Sequence, residues 1–195
     1  VVIFLIFPDC GLAKSHLRTL KYFIRNNFSP LIVSNLPLSK ENKNLLLKNC
    51  WTLIERENYG YDFGGYRDGV LFLSEKIRDI DKLILINDST WFPIINNNSF
   101  MDLIDNSNLD FIGATSHYGF NRKRLPSKKT GLSKPQFNFN NKNFHYASYA
   151  LSFSKKILKD ENFLKFWKNL RLSGTKNLVV RRGEIGLTQY VIRNK

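Results

Sequence analysis

Asn58-Tyr59-Gly60-Tyr61-Asp62-Phe63-Gly64-Gly65-Tyr66-Arg67-Asp68-Gly69 decides how this 195-residue chain is read. The apolar run 51–55 before it has the length of a strand, and 69–77 after it continues a helix that starts near Gly65. The same grammar recurs downstream, where the fully apolar strand 83–86 delivers the chain into Asn87-Asp88-Ser89. In both places a short apolar strand ends in a polar, conformationally special turn.

Working outward, 2–7 reads as a buried strand ended by Pro8-Asp9-Cys10-Gly11, and 12–25 has the apolar spacing of a helix covering a sheet. Strand 31–33 and a short helix over 41–49 complete the first half. Past Ser89 come a helix at 99–104, with Ser99 as its cap, and a strand at 110–114. Alternation of short apolar runs and helical segments predicts an α/β fold, a mostly parallel sheet with helices on both faces. The regularity breaks over 118–143, twenty-six residues with two prolines, two glycines and no periodicity, which read as a lid, an acceptor-facing loop or disorder. Beyond it lie a strand over 146–153 with unlike faces, an aromatic helix over 163–170, a strand at 178–181 and a last helix from Glu184 to about Ile192. The whole, 1–195, reads as one domain without repeat or linker. It lacks an initiator Met, so we take it as a piece of something longer.

Apolar residues make up 43% and charged residues 24%, which excludes a disordered chain. The seven apolar residues at the start fall far short of the ~20 that cross a membrane, and no basic n-region precedes them. Cys10 and Cys50 sit in or beside apolar runs and read as buried thiols, with no zinc pattern around them. The formal charge is +14, from 30 Lys and Arg against 16 Asp and Glu. Six of the fourteen residues at 121–134 are basic, which makes that segment either a solvated loop or one facing an anion, whether a phosphorylated metabolite, an anionic membrane surface or a polyanion. Nucleic-acid binding is disfavoured, because the cations follow neither a helix nor a known sheet motif.

Open parallel sheets bind ligands beyond the carboxyl ends of their strands. Asp9, Asn35, Asn58, Asp62, Asn87, Asp88 and Ser116 all follow predicted strands and are expected on one rim. Gly64 and Gly65 would let the backbone approach a phosphate, with Arg67 pairing a diphosphate and Asp62 or Asp68 addressing a cation or hydroxyl. The competing reading is a tight turn with a surface Arg–Asp pair. Asp88, with Asn87 and Ser89 beside it, sits where Mg²⁺ or Mn²⁺ would bridge carboxylate and phosphates. Its competing reading is an Asx-turn. Glu184, expected at the start of the last helix, is the candidate general base. Trp91, His117, His145 and Ser148 are candidates for sugar or acceptor contacts, and His16 reads as structural.

With these residues assembled, the chain resembles the rhamnan synthesis protein F family. The resemblance rests on the block 58–69, Asn87-Asp88-Ser89, 110–115, His145-Tyr146-Ala147-Ser148-Tyr149, 163–167 and Glu184-Ile185-Gly186-Leu187-Thr188. It implies a GT-A-like, Rossmann-related domain of bacterial cell-surface polysaccharide assembly. The implied donor is a nucleotide-diphosphate sugar, dTDP-L-rhamnose above all, and the implied acceptor a lipid-linked glycan or polysaccharide. By the same analogy Asn87-Asp88-Ser89 replaces an acid-x-acid element, Glu184 is the base, transfer inverts, and the protein works in the cytoplasm at the inner face of the plasma membrane. The alternative is a non-catalytic polysaccharide- or membrane-associated module on the same fold.

Overall fold

The computed structural model describes residues 1–94, 99–117 and 141–194. Its centre is β1 (Val2–Ile6), whose five residues are all buried because both faces of the strand are covered. β2 (Pro30–Ser34) pairs with it on one side and β4 (Lys82–Asn87) on the other, both parallel. β3 (Thr52–Glu55) adds in parallel to β2. On the far side β8 (Ala150–Ser154) runs antiparallel to β4, and β5 (Phe111–Gly113) antiparallel to β8. The order is β3-β2-β1-β4-β8-β5, so five of the six strands point the same way. The sheet is mostly parallel, as its alternating sequence pattern predicts. A separate ribbon joins β6 (Ser116–His117) to β7 (His145–Tyr146).

Alternate residues of each central strand feed two cores. Val2, Phe4, Ile6, Ile84 and Ile86 meet Leu20 and Phe23 of α1 (Lys14–Arg25), Leu46 of α2 (Lys40–Leu47) and Met101 and Ile104 of α4 (Ser99–Asp105). Ile3, Leu5, Leu83 and Leu85 meet Phe63, Tyr66 and Val70 of α3 (Tyr61–Phe72) and the chain's C-terminal helices. Those are α5 (Lys155–Lys159), α6 (Glu161–Asn169), α7 (Lys176–Val179) and α8 (Gly186–Arg193). No helix among the described residues is long and apolar enough to cross a membrane.

Several sequence expectations are corrected. Helix α3 begins at Tyr61, four residues before Gly65, because Gly60 takes φ +84° and turns the chain straight from β3 into the helix. The strand expected at 178–181 is helical. Its apolar run buries only Val179 while Leu178 stays exposed, a one-sided pattern that suits a helix. From α7 the chain continues through a π-helical turn, Val180–Ile185, into α8. Glu184 therefore lies inside a continuous helical run and does not open one. The single strand expected over 146–153 is broken by a turn at Ser148-Tyr149, which divides β7 from β8. Cys10 is exposed, not buried. The basic segment 121–134 lies outside the described residues.

Candidate active site

Parallel strands bring their carboxyl ends to one rim, and at that rim β4 hands over to Asp88. Its Oδ2 accepts the backbone N–H of Phe7, just past β1, at 2.7 Å, and lies 3.1 Å from Nε2 of His16 on α1. The tautomer of His16 is set by its other nitrogen. Nδ1 accepts the Ala13 N–H at 3.2 Å, so the ring proton sits on Nε2 and donates to Asp88. Two donors on one oxygen fix the carboxylate plane. The second oxygen is left for the cleft of about 470 Å³ between residues 7–16 and 87–91, whose lining includes Asp9, Asp62, Ser89 and Trp91.

Asp62, in the first turn of α3, faces Asn87 at the end of β4, whose Nδ2 donates to Oδ2 at 3.0 Å. The same Oδ2 is 3.2 Å from Oγ of Ser148, and that Oγ is 2.6 Å from Oε1 of Glu184. One hydroxyl has one proton, yet it touches two carboxylates. The hydroxyl can donate to Glu184 or to Asp62 but not to both at once, so the two carboxylates compete for one proton. Burial pushes the Asp62 carboxyl above its ordinary range, and the charges of Glu184 and Asp88 push it further, against the hydrogen bonds from Ser148 and Asn87.

The turn carrying Ser148 is held from beneath. Tyr66, fully buried on α3, donates its hydroxyl to the Ser148 carbonyl at 2.9 Å. Burial, then the charges of Asp62, Asp88 and Glu184, keep its phenol well above the usual tyrosine range. Glu184 is set by the π turn, where Gly183 lies against Phe63. A Cβ on Gly183 would come within 2.4 Å of the Phe63 ring, so only glycine lets the turn pack there. His145 Nε2 stands 3.5 Å from Glu184 Oε2. Beyond His145 opens a second cleft of about 1010 Å³, lined by His117, Lys142, Arg181 and Arg193 among others, with no carboxylate among the described residues that line it. Hydrogen bonds thus join Asp62, Ser148 and Glu184, and His145, whose Nδ1 donates to the Asn143 carbonyl at 2.8 Å, stands beside Glu184 between two clefts.

Other expected site residues lie elsewhere or play other parts. Gly64 and Gly65 are buried in the second turn of α3, where added Cβ atoms would meet the Tyr59 carbonyl at 2.1 Å and Leu5 at 2.3 Å. Their smallness serves packing against β1 and the preceding loop, not a phosphate at a helix end. Arg67 donates Nε to the Trp167 carbonyl of α6 at 3.1 Å, so the structure turns it toward the helices and not the cleft. Asp68 accepts Nε of Arg56 at 2.6 Å, while the same guanidinium reaches Asn35 at 2.8 Å and the Tyr59 carbonyl at 2.7 Å. Arg56 thereby ties the stretch 58–69 to the end of β2. Asn58 is exposed on that loop, and Asp9 caps the Cys10 N–H at 2.9 Å at the cleft wall. Asn87 closes an Asx-turn onto the Ser89 N–H at 3.2 Å while its amide still serves Asp62. His117 stacks obliquely on His145, with ring centroids 5.4 Å apart. The roles of His16, Tyr66 and Arg56 escape sequence reasoning, since their partners are remote in the chain.

The donor set tests the expected cation. Among the described residues no group of three or more His, Cys, Asp or Glu side chains could hold a metal. Asp88 keeps one oxygen outside its two hydrogen bonds, which fits a hard ion held by one carboxylate and completed by phosphate oxygens. It does not fit a cage built by the protein alone.

A family model described as rhamnan synthesis protein F matches residues 31–194. The chain belongs to the rhamnan synthesis protein F family. In this member of the family, the separate blocks 58–69, 87–89, 145–149 and 184–188 converge on the carboxylates just described. An uncharacterized protein of Sinorhizobium fredii is 33% identical over 189 residues, 97% of this chain and 45% of that protein. Virulence protein VirA of Vibrio anguillarum is 29% identical over 183 residues, 90% of this chain and 50% of its own length. The chain spans about half the length of the curated relatives it matches. Among solved structures, a cytidylyltransferase of Leptospira borgpetersenii aligns with a TM-score of 0.47 at 11% identity, covering 99% of this chain and 70% of that one. Core-mannan synthase A of Aspergillus fumigatus aligns with a TM-score of 0.40 at 9% identity, covering 86% and 63%.

Proposed function

We propose that this chain is a glycosyltransferase domain that moves L-rhamnose from a dTDP-activated donor to a growing cell-surface polysaccharide. The observation that carries the reading is the pair of carboxylates, Asp62 and Glu184, on the single hydroxyl of Ser148, beside Asp88 at the end of β4. The nucleotide diphosphate occupies the cleft between the loops after β1 and β4, and the acceptor, a lipid-linked glycan or polysaccharide, enters from the cationic cleft past His145. An acceptor hydroxyl oxygen forms its bond to the anomeric carbon as its proton passes to Glu184. The bond from that carbon to the diphosphate oxygen breaks on the opposite face, so the product is inverted. Ser148 holds Glu184 in place through its hydrogen bond, and the burial that raises the Asp62 carboxyl works against a further negative charge beside the departing diphosphate. A Mg²⁺ or Mn²⁺ ion, when bound at Asp88, would neutralise that diphosphate. The reaction belongs on the cytoplasmic side of the membrane.

Calorimetry tests the donor half of this reading. dTDP-L-rhamnose is expected to bind the chain in the presence of Mn²⁺. Asp88→Ala is expected to weaken binding about tenfold or more, the effect of losing a charge-assisted contact of at least ~1.4 kcal/mol. Absence of donor and dTDP binding, with and without Mn²⁺, overturns it.

A further inference from the structure

Helix α1 contains no acidic residue, and its cations are Lys14, Arg18, Lys21 and Arg25. Spacings of four, three and four return to one side of an α-helix. That side is opposite His16, Leu20 and Phe23, which pack on the sheet, and all four cations are exposed. Among the described residues, none of the four has a carboxylate partner. These cations do follow a helix, which corrects the expectation from sequence.

The stripe does not stand alone. Arg18 Nη2 donates to the Ile94 carbonyl at 3.2 Å, and the Thr19 hydroxyl bonds the Phe92 carbonyl. These bonds hold the loop after β4 against the helix with Trp91 85% and Ile94 79% exposed. On the other flank Ile24 is 43% exposed and Leu17 half-buried. Cations in a row between two margins of exposed apolar side chains match the layered chemistry of a bilayer interface. Lys and Arg reach anionic headgroups, and Trp and Ile sit at the acyl boundary.

We propose that α1 and residues 91–94 form a docking face for an anionic lipid bilayer. A nucleic-acid phosphate backbone would satisfy the cations but leave Ile24 and Ile94 in water. Trp91 also lines the donor cleft, so docking would set the mouth of that cleft at the membrane surface. This consequence rests on the transferase reading, while the docking itself does not.

Co-sedimentation of the chain with phosphatidylcholine vesicles, with and without phosphatidylglycerol, tests the face without any sugar substrate. Binding is expected only with phosphatidylglycerol and is expected to weaken as salt rises. Neutralising cations costs roughly 5-fold each near such a surface. Lys14→Ser with Lys21→Ser should therefore weaken binding by about 25-fold, and all four Ser substitutions by ~10²-fold or more. Ile94→Asp should weaken it while the salt dependence persists. Replacing Arg122, Lys123 and Arg124 by Ser should leave most binding in place. Circular dichroism checks that each variant is folded, and the exposed double variant suffices if the fourfold one is not. The proposal is overturned by binding that survives the α1 substitutions, by loss confined to the 122–124 variant, or by oligonucleotide binding with no vesicle binding. Donor turnover in solution should be unaltered by the Lys14→Ser, Lys21→Ser double variant, so a failed docking test leaves the transferase reading separately testable.

Discussion

Asp62 carries a cost that the fold accepts for the sake of the site. Its carboxyl is pushed up by burial and by the neighbouring charges of Glu184 and Asp88, so the folded chain holds that proton more tightly than the unfolded chain does. Its contribution to stability is therefore fully present below the ordinary carboxylate pKa and is lost as pH rises through the elevated folded value. Asp62→Asn should melt like the parent in acid and higher than the parent at neutral pH, by ~2–4 °C for each kcal/mol regained. Thermal melting across pH checks this, and a parallel offset at every pH would contradict it. His16 is the companion case of a residue whose meaning lies in its partner. Nothing in the sequence around it points to Asp88, 72 residues away. Only the meeting of α1 with the end of β4 makes it a positioning group.

Elements are legible in the sequence where burial is two-sided. β1, β2 and β4 show as continuous apolar runs because both their faces are covered, and Asp88 is found as the acid directly after the longest of them. Legibility ends where burial is one-sided and short. The helical run from α7 to α8 shows three adjacent apolar residues that mimic a strand, and no local signal marks the π turn that aims Glu184. Likewise the turn at Ser148 is hidden inside an alternating stretch that suits a longer strand. Gly183 makes the π turn a testable unit. Gly183→Ala forces a methyl into the Phe63 ring, and overpacking of this kind costs ~1–3 kcal/mol. The melting temperature should fall by ~2–4 °C per kcal/mol, as differential scanning fluorimetry would record. An unchanged melt would mean that the turn gives way without strain.

For the molecule as a whole, one parallel rim gathers residues that the chain spreads from position 7 to 184. In the proposed transferase Asp88 marks the donor side, His145 the acceptor side, and the hydroxyl of Ser148 the seam between them. The glycine pair and Arg67, the obvious phosphate candidates in the stretch 58–69, prove to be packing devices. The less conspicuous Asp62 and Asn87 form the link through Ser148 to Glu184. The blocks 58–69, 87–89, 145–149 and 184–188 are separate in sequence, and the fold brings their Asp62, Asn87, Ser148 and Glu184 together. Glu184→Gln keeps the size and the Ser148 contact while removing the proton acceptor. Its turnover with dTDP-L-rhamnose, measured beside its donor affinity, bears most directly on the proposed chemistry. Turnover should fall by ~10²-fold or more, the usual contribution of a general base, with donor affinity within a few-fold of the parent. Turnover equal to the parent's would contradict Glu184 as the base, and with it the transfer mechanism built on the Asp62–Ser148–Glu184 chain.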